Sequence, residues 1–146
     1  MLTLDHPTPE DWLAIGALAN EAVRHIPGAP VQTEWLENRR AYTGPRHHWI
    51  AREDGEPVGY GAIEHRTDRH RLFLVLSWIN PGATAIADAL IAGLQREFVG
   101  VGKMWMLEYA DDTPFLNYLR THGFTVGDGF DHEGMAVARL EYAQFA

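Results

Sequence analysis

The sequence predicts a mixed α/β (α+β) fold, in which one central, mostly antiparallel sheet is flanked by helices. Three observations carry this. Apolar spacing switches repeatedly between the two-residue period of strands and the 3.6-residue period of helices. An Asp-Gly pair joins two strand-like runs, which is a hairpin signal. The run from Leu72 to Ile79 is continuously apolar, as a central strand buried on both faces would be. The predicted order is β-α-α-β-β-β-α-β-α-β-β, and residues 1–146 read as a single domain.

In chain order, Leu2 to Leu4 reads as a short strand. Thr8 is placed to cap a helix, with Pro9 at its first position and Asp11 returning a capping contact. Trp12, Ile15, Leu18, Ala19, Ala22 and Val23 follow at helical spacing, and Pro27-Gly28 stops the segment. Thr33 caps a second short helix through Arg40, with Trp35 and Leu36 as its apolar contacts. His48 to Glu53 and Val58 to His65 are strands joined at Asp54-Gly55. After Leu72 to Ile79, Ala83 to Phe98 is a helix with Ile86, Leu90, Leu94 and Phe98 on one face, closed by Gly100 and Gly102. Lys103 to Tyr109 is a strand, and Thr113-Pro114 opens a short helix that ends near His122-Gly123. Phe124 to Phe130 and Gly134 to Leu140 form a last hairpin.

Composition narrows the function. Hydrophobic residues are 46% and charged residues 22%, as in an ordinary globular protein. A net charge of -8 disfavours nucleic acid and anionic membranes, which are bound through Lys and Arg, and suits a cationic or amine-bearing partner. With no cysteine, disulfides, thiolate metal sites and Cys nucleophiles are all excluded. No signal peptide or membrane-spanning run is visible, so a soluble cytoplasmic protein is expected. His47-His48 cannot readily hold one ion, because adjacent strand residues point to opposite faces, and neither that pair nor His65/His70 has a third ligand at suitable spacing. A solvated or capping role is expected for them, and no metal.

The informative stretch is Ser77 to Gly93, SWINPGATAIADALIAG. A strand runs through Asn80-Pro81 into a turn of small residues and then a helix. A helix start exposes free N–H groups and the positive end of the dipole, so it attracts phosphate. The preceding turn must lack bulk to let a pyrophosphate approach, and Gly82, Ala83, Thr84, Ala85 and Ala87 meet that need. Close packing of helix on sheet would favour the same residues.

This stretch, the element order and the short helix TPFLNYLRTHGF (Thr113 to Phe124) together resemble the GNAT superfamily of acyl-CoA-dependent N-acyltransferases over nearly the whole chain. Ile79-Asn80-Pro81 matches the front of the family's cofactor motif, and Ile86 to Leu90 matches its back. The resemblance implies acetyl-CoA as cosubstrate. Ser77, Trp78 and Ile79 would line its pantetheine arm as an added strand would, and Gly82, Ala83, Thr84, Ala85, Ile86 and Ala87 would hold its phosphates. The turn is shorter than the family's, lacks its Arg or Gln, and has Ala at positions 85 and 87. Where the family often places a Tyr ahead of Gly-Phe to protonate the leaving thiolate, this chain has Leu119. Tyr118, the candidate acid, sits one residue away, a rotation of about 100 degrees on a helix.

The remaining candidates follow from the chemistry of amine attack, which needs a base on the acceptor side. Glu64, on the strand face shared with Ala62, is the first candidate, and it would otherwise be an exposed charge at a hairpin end. Glu108 is the second. Arg120 is the candidate cation for the CoA phosphates, and Trp35 and Tyr42 are candidate acceptor-binding residues. The expected activity is acetyl transfer from acetyl-CoA to a primary amine of a small molecule or peptide by direct attack. The alternative is a binding or interaction module that keeps the fold without tight CoA binding. A homodimer is compatible with family habit.

Overall fold

The computed structural model describes residues 1–29, 32, 37, 47–66, 71–78, 84–97, 102–110, 112–132 and 134–145. Seven strands form one sheet in the order β1-β2-β3-β4-β5-β7-β6. The strands are β1 (Leu2–Asp5), β2 (His48–Glu53), β3 (Glu56–Arg66), β4 (Arg71–Trp78), β5 (Gly102–Tyr109), β6 (Phe124–His132) and β7 (Met135–Phe145). The helices are α1 (Trp12–Ala22), α2 (Thr84–Glu97) and α3 (Thr113–Thr121). This is the expected order. The second expected helix, Thr33 to Arg40, lies outside the described residues except for Gln32 beside it and Glu37, which is helical.

Local chemistry sets most boundaries. Thr8 and Asp11 form a reciprocal capping box around a 3₁₀ turn, Pro9–Asp11, that feeds α1. The β2–β3 hairpin turns at Asp54 (φ 50°) and Gly55 (φ 87°), the left-handed pair that a two-residue turn between right-twisting strands requires. Asp112 caps α3 by accepting the Phe115 N–H, Pro114 sits in its first turn, and Gly123 at φ 95° ends it.

All the pairings are antiparallel except β4 with β5. β4 is therefore the middle strand and the point where the sheet changes direction, as its apolar sequence predicts. Helices α2 and α3 cover one face. There Leu90, Leu94, Phe115, Leu116 and Leu119 pack on Ile63, Leu76, Met106 and Leu140. Helix α1 covers the other face, where Ile15 and Leu18 pack on Ile50, Tyr60 and Ala62. No helix among the described residues is long and apolar enough to cross a membrane.

Candidate functional site

The centre of the sheet is open at one end. β4 is paired with β3 from Arg71 to Trp78, and β5 with β7 up to Tyr109. Between β4 and β5, however, the register partners are Phe73 and Trp105 alone. Past that row, Leu74 to Trp78 and Met106 to Tyr109 have no register partners in each other among the described residues. The two central strands therefore share register at one row only, which leaves a gap in the ladder between β4 and β5 among the described residues. The chain segments leaving this end, after Trp78 and after Tyr109, lead into the N-termini of α2 and α3 on the same face. Both dipoles therefore place positive ends beside the gap.

Only some of the residues expected at the cofactor are described, at the end of β4 and the start of α2. Ser77 and Trp78 are the last residues of β4. Thr84 and Ala85 open α2 and are exposed, Ile86 is half-buried, and Ala87 is fully buried against the core. Ile79, Gly82 and Ala83 lie outside the described residues, as do Trp35 and Tyr42 on the acceptor side. Arg120 is in the last turn of α3, at the end away from the gap, where its charge complements the helix dipole. It lines a hollow of about 380 Å³ between α3 and the β6–β7 hairpin, with Leu116, Val126 and Phe130.

The two candidate carboxylates stand on opposite faces. Glu64 follows Tyr60 and Ala62 on the α1 side of β3, and its register partner Phe73 is the residue paired with Trp105. It therefore lies in the last paired row before the gap, one strand away. It is fully buried rather than exposed at a hairpin end. Glu108 is paired with Ala138 and shares a face with Met106, on the α2/α3 side, where it is half-buried. Tyr118 is also on this side. Its hydroxyl donates to Asp88 Oδ1 of α2 at 2.7 Å, and its ring stacks on His122 with centroids 4.0 Å apart. Burial, reinforced by the Asp88 carboxylate, pushes the phenol well above its ordinary range. Leu119 is fully buried in the core.

Three features of the α1 side were not visible in the sequence. His48 is buried, correcting the expectation of a solvated or capping role; His47 beside it is exposed. The His48 Nδ1 meets the Tyr60 hydroxyl at 3.1 Å, and Trp12 lies 5.4 Å from its ring. Burial draws its pKa down to about 4 from 6.5, helped by the nearby His6 and His47. Second, the Gln32 side chain donates to the Tyr109 hydroxyl at 3.3 Å, tying the segment after α1 to the end of β5. Third, His25 Nε2 lies 2.8 Å from Asp112 Oδ1, and that carboxyl is only 2% exposed. These partners are 87 residues apart, so no local pattern could have joined them. Among the described residues, no three or more His, Asp or Glu gather as a metal site would need.

No protein-family model matches the chain, and no curated protein matches it in sequence. Its fold is nevertheless that of solved N-acetyltransferases. The ribosomal-protein-S18-alanine N-acetyltransferase of Escherichia coli superposes with a TM-score of 0.68 at 13% identity, over 98% of this chain and 94% of its own. Naa50 of Arabidopsis thaliana, solved with the bisubstrate analogue CoA-Ac-MVNAL, gives 0.69 at 10% identity, over 97% and 98%. A GNAT-family acetyltransferase of Bacillus cereus gives 0.67 at 13% identity, over 98% and 97%. What the chain shares with them, end to end, is the GNAT fold.

Proposed function

We propose that the protein is a GNAT-type N-acetyltransferase that transfers the acetyl group of acetyl-CoA to a primary amine of a small molecule or peptide. The observation that carries this reading is that β4 and β5 share register only at Phe73 and Trp105, while α2 and α3 start after the far ends of these two strands. A chain-like ligand with amide groups can pair with the free edge of β4, as an added strand would. Its phosphates would meet the N–H groups at the start of α2, where Thr84 and Ala85 are exposed and present no bulk. The missing Arg or Gln leaves that work to backbone donors. Asp88, the one carboxylate in the early turns of α2, is engaged by the Tyr118 hydroxyl, and His122 Nε2 lies 3.4 Å from it, which reduces its repulsion of an incoming anion.

The thioester would sit near the Phe73–Trp105 row, with the acceptor amine entering from the α1 side. Holding both reactants in line is then the largest catalytic effect, and a backbone N–H near Ile79 would polarise the carbonyl. Glu64, a carboxyl buried on the acceptor side, is a candidate partner for the acceptor amine. The acceptors named for the Escherichia coli and Arabidopsis proteins, a ribosomal protein and a peptide, support an amine on a protein or peptide.

Calorimetric titration with acetyl-CoA tests the reading, using wild type and Thr84→Glu. A carboxylate in the first turn favours the helix, so lost binding cannot be blamed on unfolding. Placed about 5 Å from a phosphate, it costs about 3 kcal/mol at an effective dielectric near 20, on the order of a hundredfold in Kd. Saturable wild-type binding weakened to that extent supports the assignment. Wild type that fails to bind millimolar acetyl-CoA would leave the fold as a binding module for another partner.

A further inference from the structure

Arg139 stands on the acceptor face of the sheet without a carboxylate partner. On β7, Ala138, Leu140 and Tyr142 pack into the core under α2 and α3. Alternation therefore turns Arg139, with Val137 and Glu141, to the α1 side. Arg139 is exposed, and its guanidinium lies over the Phe130 ring, 4.5 Å from the centroid. The acidic residues beside it in the sheet are Glu141, two positions along β7, and Asp128, in the register shift of β6 that lies opposite. Neither forms an ion pair with it, and no other carboxylate does among the described residues. Gly127, in the same shift, presents no side chain to it.

The strand register places this cation relative to the reacting row. Trp105 pairs with Glu141 and Leu107 with Arg139. Arg139 therefore lies one same-face row beyond Phe73 and Trp105, toward the open end of the gap. Two residues of strand rise and one strand spacing put its backbone about 8 Å from that of Trp105. The segment after α1 crosses at the row beyond, that of Tyr109 and Val137. There the Gln32 side chain donates to the Tyr109 hydroxyl, and a Cβ added at Gly28 would come 3.8 Å from Met135 Sδ. Arg139 thus stands between the reacting row and that crossing segment.

We propose that Arg139 is a specificity-determining residue that binds a carboxylate of the acceptor, and that the acceptor is a peptide N-terminus with Asp or Glu at the third residue. An extended peptide advances about 3.3 Å per residue, so one whose terminal amine is at the thioester reaches Arg139 with its third residue. The carboxylate of a free amino acid is too close to its own amine, within about 3 Å, to do so. A guanidinium offers a carboxylate two parallel N–H donors and stays charged at any pH where the amine is free to react. Stacking on Phe130 engages one flat side of the group and leaves its in-plane donors available. The inference rests on the acetyltransferase reading and narrows its acceptor to an acidic peptide.

Initial rates of CoA release test this with wild type, Arg139→Gln and Arg139→Glu. The three peptide acceptors start with a free alanine amine, end in an amide, and carry Glu, Gln or Lys as the third residue. Wild type is expected to favour the Glu peptide over the Gln peptide roughly tenfold in kcat/KM, mostly through KM. Arg139→Gln is expected to remove that preference, and Arg139→Glu to turn it toward the Lys peptide. A residue with a merely structural role would not exchange one preference for the other. An unchanged acetyl-CoA Kd by calorimetry shows that each variant keeps its fold. Equal kcat/KM for the Glu and Gln peptides in wild type would overturn the proposal, as would a Glu preference that survives in Arg139→Gln. Wild type that fails to bind acetyl-CoA removes the acetyltransferase reading, and this inference with it. If acetyl-CoA binds but no peptide turns over, the peptides are titrated into CoA-loaded protein. Tighter binding of the Glu peptide that Arg139→Gln abolishes then supports the proposal, and equal binding or none overturns it.

Discussion

Lowering the pH from about 7 to about 5 should destabilise this protein through His48. The ring is 4% exposed, is bonded to the Tyr60 hydroxyl, and has a folded pKa of about 4 against 6.5 in the unfolded chain. Its folded pKa is depressed, so the unfolded state binds more protons between those two values. The contribution is therefore fully present above 6.5 and is lost as pH falls toward 4. Linkage gives a loss of about 2 kcal/mol between about pH 7 and about pH 5, approaching a limit of about 3 kcal/mol below that. Asp11 does not confuse the window. Its carboxyl is held low chiefly by the Thr8 backbone N–H and then by Arg52, so its contribution is lost as pH falls through the ordinary carboxylate range and below it, under the His48 window. Urea unfolding of wild type and His48→Gln at both pH values measures the effect. The variant starts less stable, because it loses ring packing against Trp12, but its stability should change much less with pH. Equal losses in the two proteins would refute the reasoning.

Two further outcomes test the packing around the site. Tyr118→Phe removes the bond to Asp88 that ties α3 to α2; it should cost about 1–2 kcal/mol of unfolding free energy, since it leaves a charged acceptor without that donor, measurable by chemical denaturation. Gly129→Ala would set a Cβ 2.5 Å from the Val137 carbonyl oxygen, beside the register shift between Val126 and Gly129. Backbone cannot retreat as a flexible side chain would, so a loss of about 1–3 kcal/mol is expected, read as a lower Tm.

Fold and site were legible to different depths. Asp54-Gly55, Thr8-Pro9, Asp112 with Pro114, and Gly123 announced a hairpin, two helix starts and a helix end, because turns and caps are set by a few adjacent residues. The alternation of Tyr60, Ala62 and Glu64 placed Glu64 on a definite face, since strand geometry fixes which side chains share a side. It gave no depth. Glu64 and His48 look like strand-end polar residues, and both are buried, because depth depends on what α1 lays over that face. Tyr118 was visibly one position from the family's tyrosine, but only the packing of α3 against α2 gave its hydroxyl to Asp88.

The sequence by itself determined the order of the described elements, most of their boundaries to within a few residues (the last strand runs on to Phe145), the central position of β4 and the small-residue start of α2. These depend on periodicity and local backbone chemistry, which act over a few neighbouring residues. The tertiary structure alone decided that β4 and β5 share register only at Phe73 and Trp105, that Glu64 and Glu108 face opposite ways, and that His25 meets Asp112 across 87 residues of chain. Those outcomes depend on which strands neighbour one another and on where α1 crosses the sheet, and such contacts between distant segments leave no local pattern.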